Sequence, residues 1–362
     1  MGRRPPHRRL RLRALLAALL LCGTAGCATA TTPVVAPVLA DRLTSALQRH
    51  DRDGFLGRFA PAADDQAAAL SWYNALSAGD ATIREVGPQR LQITYRLPGD
   101  RTRATDVVTY DLVDGTDRIG SVSAASTAAP LWTLGGVDLT AASSGTLLSA
   151  SLDAGAREVW ARRLDRAATA VRNSGVGENW TGGLVVEVPP GGRFQQVSGE
   201  SASDASAVTI CTSRTPRIVV NPVILGQPDE WLDSTLVHEA VHVATNSACA
   251  TPGSSLGWVV EGLAESVAAA SDATTASRNR ELVLAYVKAH GVPGALPSQP
   301  ETLTDYALAQ LAVDEVRAHL GKKADDFLRR AIHDAPGVTA AELGQAATWY
   351  RSALERLAHM SR

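Results

Sequence analysis

Residues 234–248 read STLVHEAVHVATNSA and place His238, Glu239 and His242 within five consecutive positions. Apolar Leu236, Val241 and Val243 flank them, so the stretch predicts a buried helix, within a helical span of 229–247. On a helix, residues i and i+4 share a face, so the two imidazoles can reach one ion. Glu239 sits about 100° round the same helix, beside those imidazoles, where a carboxylate can take a proton from a water on that ion. The competing reading is an amphipathic helix that carries two histidines and no ion. A third ligand decides between them, because a zinc ion that activates water is held by three protein groups and keeps one position open.

The segment GWVVEGLAESVAAA, residues 257–270, supplies the candidate. Eighteen residues separate His242 from Glu261, room for the first helix to end, turn at TPGSS and return as a second helix. Glu265 lies one helical turn beyond Glu261, on the same face, and can accept a hydrogen bond from the outer nitrogen of a ligand histidine. In isolation Glu261 reads as a solvated helix glutamate and Glu265 as half of a surface ion pair. Next to an intact His-Glu-x-x-His the expectation becomes a ligand and its support.

The chain has 362 residues, 45% of them hydrophobic and 20% charged, which fits a globular protein of about two domains. Its formal charge is −2, yet the first 26 residues carry six arginines and no acid. Without them 29 basic residues face 37 acidic ones, a net charge of −8. Such a surface is not built to hold nucleic acid by charge, and no nucleic-acid partner is expected.

Residues 1–26 read as a signal peptide: basic MGRRPPHRRLRLR, a short apolar ALLAALLL, then small residues. Eight apolar residues are too few to span a bilayer. The run closes on TAGC, which resembles a bacterial lipobox ending at Cys27. That resemblance implies lipidation of Cys27, residues 27–40 as a tether, and anchoring to the outer face of a bacterial membrane, or secretion if the cysteine is not lipidated. Cys211 and Cys249 form the one possible intramolecular pair in an exported chain, so a disulfide is expected, with two buried thiols as the alternative. Closing that 38-residue loop would contribute roughly 4 kcal/mol in the chain-entropy model.

Along the chain, an amphipathic helix pair in LADRLTSALQRHDRDGFLGRFAP and a short helix in ALSWYNALSAG precede alternating strands in ATIREVGPQRLQITYRL, RATDVVTYDLV and DRIGSVSA. This α+β order over residues 41–127 resembles the NTF2/cystatin-like domains. Residues 128–150 read as a connection with strand-like PLWTLG and GTLLSA. A long helix at 152–171 and three strand-like runs follow, and from 229 onward the pattern is helical at 229–247, 256–271, 275–290, 302–319, 323–334 and 338–359.

A His-Glu-x-x-His, eighteen residues and then Glu261 within WVVEGLAE resembles the gluzincin metallopeptidases, in particular the peptidase MA-like domains and the M1 aminopeptidase core. The resemblance implies a zincin-like domain over residues 151–362, a small sheet followed by a helical half. It implies Zn2+ on His238, His242 and Glu261, Glu239 as general base, and Tyr306 as a donor to the oxyanion of a peptide or protein substrate. The aminopeptidases also carry a Gly-x-Met-Glu-Asn stretch for the substrate amino terminus. This chain has only Met1 and Met360, so the expectation is an endopeptidase. The alternative expectation is a catalytically inactive zincin-fold module that binds a partner.

Overall fold

Tyr95, Leu97 and Trp132 are buried in one apolar cluster together with Val185 and Val219, from strands much later in the chain. That cluster explains how the chain is organised. The computed structural model describes residues 39–125, 128–177, 179–199 and 204–360, a mixed α+β fold with two sheets. The expected signal peptide, Cys27 and residues 27–38 of the tether lie outside the described residues.

The first part comprises α1 (Leu39–Gln48), α2 (Arg52–Leu56), α3 (Ala63–Ser77), β1 (Thr82–Gly87), β2 (Arg90–Tyr95), β3 (Ala104–Leu112) and β4 (Ile119–Ala124). Asp51 caps α2 by accepting the Gly54 amide at 2.8 Å. The four strands pair antiparallel in chain order. Leu91, Ile93 and Tyr95 of β2 alternate with more exposed Gln92 and Thr94, the pattern of a sheet with one face in a core.

PLWTLG does not form a strand. Pro130 starts a 3-10 turn over Leu131–Leu134, Thr133 closes it by donating to the Pro130 carbonyl, and Gly135 and Gly136 leave it at φ 76° and 67°. The turn buries Trp132 edge-on against Trp72, with centroids 4.7 Å apart. GTLLSA does form a strand, β6 (Gly145–Ser149), and β5 (Asp138–Ala142) precedes and pairs with it.

Next come α4 (Ala154–Asn173), β7 (Leu184–Val188), α5 (Phe194–Ser198), β8 (Ala207–Thr212) and β9 (Thr215–Val220). The second sheet has the order β5-β6-β7-β9-β8, with β6, β7 and β9 parallel and β8 antiparallel at an edge. Every residue of β6, β7 and β9 is buried, because both faces are covered. Leu184, Val186, Ile218 and Val220 face the later helices, while Val185 and Val219 face the first part. A continuous apolar run such as LVVEV is what that position requires.

The helical remainder is α6 (Asp229–Thr245), α7 (Gly257–Ser271), α8 (Ala273–His290), α9 (Leu303–Leu320), α10 (Ala324–His333) and α11 (Ala340–Met360). Among the described residues no helix is long and apolar enough to cross a membrane. At Gly262, α7 crosses α9 so closely that a Cβ would stand 2.4 Å from the Ala309 carbonyl oxygen. Cys211 of β8 and Cys249, just past α6, form a disulfide with Cα atoms 5.1 Å apart.

Two charged residues interrupt the buried strands and face the first part. Arg217 of β9, 1% exposed, donates to both carboxylate oxygens of Asp100 at 3.2 and 2.7 Å and to the Tyr95 hydroxyl at 2.8 Å. Glu187 of β7 is left with one contact to Arg217, at 3.3 Å. Burial pushes Glu187 up to about 7, Arg217 opposes that, and the charges of Asp100 and Asp106 add to it.

A carboxyl raised from an ordinary 4.5 to about 7 keeps its proton in the fold while the unfolded chain loses it. Its contribution is therefore full below pH 4.5 and declines between pH 4.5 and 7, by about 3 kcal/mol. Denaturant melts across this range should show Glu187→Gln gaining on the wild type as pH rises, with a constant difference above pH 7. Parallel stability curves would contradict this.

Candidate metal centre

α6 carries the histidine pair and is buried on almost every side, from Leu232 and Leu236 to Val243 and Ala244. Asp229 and Glu230 in its first turn oppose the helix dipole, and Asn246 ends it in the left-handed region at φ 57°. Arg163 of α4, 4% exposed, fixes the start of the helix by donating to Asp229 and, at 2.8 Å, to Asp233. The helix is thus held at both ends, and its middle faces α7.

Where the two helices face each other, Glu261 Oε2 lies 3.2 Å from His238 Nε2 and 3.5 Å from His242 Nε2. One ligand atom from each of the three residues lies within 4.8 Å of the other two. Atoms bound tetrahedrally to one zinc ion at 2.0–2.1 Å stand about 3.3 Å apart. The donor set, two imidazole nitrogens and a carboxylate oxygen, and these spacings both fit zinc.

The outer nitrogens are occupied in a way that turns the inner ones toward that point. His238 Nδ1 lies 3.1 Å from Glu265 Oε2, which holds a proton on that nitrogen and leaves Nε2 as the one to give up its proton to a metal. His242 Nδ1 lies 3.1 Å from Ser247 Oγ, just past the end of α6. Glu265 is held in turn by α8: Asn279, 3% exposed, donates to Oε1 at 2.6 Å and Arg278 donates at 3.2 Å. Asn279 also reaches Gln310 of α9 at 2.7 Å, which ties three helices to one imidazole.

The electrostatics agree with a site made for positive charge. Burial works against a charged His238, and the hydrogen bonds to Glu261 and Glu265 outweigh it, leaving its pKa well above the ordinary value. Glu261 is held far below the carboxylate range, since His242 and His238 overcome the cost of its burial. Two carboxylates and two imidazoles packed this way stabilise a cation at their centre.

Glu239 points into the same space, only 7% exposed, with Oε2 accepting from Thr209 of β8 at 2.7 Å. Tyr306, in the first turn of α9, sets its ring edge-on to His238 at 5.7 Å. Burial, with the charges of Glu261 and Glu239, raises its pKa, so the phenol keeps its proton. Two pockets adjoin the centre, one of about 360 Å³ that includes His242 and one of about 260 Å³ that does not. Both are lined by Ala207, His238, Glu239 and Tyr306.

All six residues singled out for chemistry therefore meet in one place: His238, Glu239, His242, Glu261, Glu265 and Tyr306. Cys211 and Cys249 are bonded beside it, and Cys27 lies outside the described residues. Sequence reasoning missed Thr209, Ser247, Arg278 and Asn279. Ser247 had a weak signal, since it follows the helix end at Asn246; the others depend on which strand and helix lie alongside. Compared with protein-family models, curated proteins and solved structures, the chain matches none.

Metal-supplemented protein should hold about one zinc per chain by elemental analysis, as one three-ligand site implies. His242→Ala should lose it while remaining folded. Glu265→Gln should weaken zinc binding about 10- to 100-fold in a chelator competition. Unchanged affinity in Glu265→Gln would remove the supporting role assigned to that carboxylate.

Proposed function

We propose that this chain is a zinc-dependent peptidase, exported from a bacterial cell and tethered to the outer face of its membrane. In this reading the five-stranded sheet and α6–α11 make a gluzincin-type catalytic domain, and α1–α3 with β1–β4 an NTF2/cystatin-like one. The observation that carries it is the convergence of His238, His242 and Glu261 within ligand spacing, with the carboxylate of Glu239 beside them and outside that ligand set. A purely structural zinc site has four protein ligands and no need of that carboxylate. The Cys211–Cys249 disulfide supports the exported location.

Zinc held by His238, His242 and Glu261 would supply Lewis acidity, lowering the pKa of a water and polarising a peptide carbonyl. The two pockets that adjoin the centre leave room for substrate residues on either side of the cleaved bond, which supports cleavage within a peptide. Glu239 takes a proton from the attacking water as its oxygen bonds to the carbonyl carbon. Tyr306 donates a hydrogen bond to the oxygen that gains negative charge. Glu239 then delivers its proton to the amide nitrogen as the carbon–nitrogen bond breaks, leaving a carboxylic acid and an amine. One water is consumed for each bond broken.

A library of internally quenched fluorescent peptides tests the proposal. The zinc-loaded wild type should cleave a subset, and Glu239→Gln should lose at least about 100-fold in kcat with zinc still bound. Tyr306→Phe should lower kcat about tenfold or more with little change in KM. A zinc-loaded wild type that cleaves no peptide would contradict the proposal and leave a metal-holding binding module.

A further inference from the structure

Glu239 has two carboxylate oxygens, and its chemistry requires one of them to face the pockets while the other is held. Thr209 Oγ1 lies 2.7 Å from Glu239 Oε2 and 3.1 Å from the Glu239 main-chain oxygen. A hydroxyl has one proton, and donation to a charged acceptor is the stronger bond. The hydroxyl therefore goes to Oε2, and Oε1 has no hydrogen-bond partner among the described residues. We infer that Thr209 is the positioning residue of Glu239, fixing Oε2 so that Oε1 is presented to water. This inference rests on the peptidase reading.

The placement is over-determined by elements outside α6. Thr209 pairs with Ile218 across the β8–β9 ladder, and a one-residue slip would turn its side chain to the other face. A β-branched residue suits the strand and has a stiff first torsion, so the hydroxyl is held rather than sampled. Two residues along, on the same face of β8, Cys211 is bonded to Cys249. Cys249 in turn lies two residues past Ser247, which orients His242. One covalent link thereby joins the strand that positions the base to the turn that positions a metal ligand, which keeps Thr209 against α6.

Three variants and two readouts test this. On the best-cleaved peptide of the quenched library, Thr209→Val should lose about tenfold or more in kcat with KM and zinc affinity unchanged. Thr209→Ser should recover most of that loss, and Thr209→Ala provides a second removal of the hydroxyl if the valine variant folds poorly. The second readout needs no activity: in the metal-free protein, Thr209→Val should lower the melting temperature more when Glu239 is present than in Glu239→Ala, where the hydroxyl still meets the main-chain oxygen of residue 239. Wild-type kcat in both Thr209→Val and Thr209→Ala, or an equal melting shift in the two backgrounds, overturns the inference. A wild type with no Glu239-dependent cleavage overturns it together with the peptidase reading, which is a different result from active wild type and active Thr209→Val.

Discussion

Glu261 Oε2, 3.2 Å from one imidazole nitrogen and 3.5 Å from another, sets the constraint that shapes the helical half. Three groups that prefer water must be buried at that separation, and burying them without a cation is costly. α6 and α7 have to cross with the His238/His242 face against the Glu261/Glu265 face. Gly262 allows this, because α7 can then lie against the α9 backbone immediately beside Glu261. The same crossing brings Tyr306 to the edge of His238.

The second sheet is the platform behind that crossing. Its strands are covered by α4 and α6 on one side and by the first sheet's core on the other, so α6 is pressed against a fully buried layer. Arg217, with Glu187 beside it, puts a charge on the other face. One guanidinium meets Asp100 squarely, and Glu187 is left to keep its proton near neutral pH. Paired buried charge of this kind contributes little net stability, yet removing one partner strands the other, which specifies how the two layers dock.

Much of the site was legible in the sequence because it lies on two helices with regular periodicity. The expected helices at 229–247 and 256–271 coincide with Asp229–Thr245 and Gly257–Ser271, and helical geometry then fixes which side chains share a face. What stayed hidden depends on pairing between distant segments. Thr209 reads as one polar residue in an alternating strand until the register with Ile218 and the position of α6 are known. Asn279 looks like a helix-surface amide until α7 and α9 bury it. Within residues 128–150, GTLLSA was legible as the strand that becomes β6, whereas β5, a short run flanked by serine and glycine, carries little signal of its own and is fixed by pairing with β6. PLWTLG carries strand-forming residues, but proline and two positive-φ glycines curl it into a turn.

The measurement that tests the central claim most directly is an anomalous difference map at the zinc edge, from crystals grown with one equivalent of zinc. The account predicts a single strong peak about 2.0–2.2 Å from His238 Nε2, His242 Nε2 and a Glu261 oxygen, with Glu239 beside it and not bound. A peak elsewhere, or no peak among these three residues in a folded, zinc-supplied protein, would contradict it.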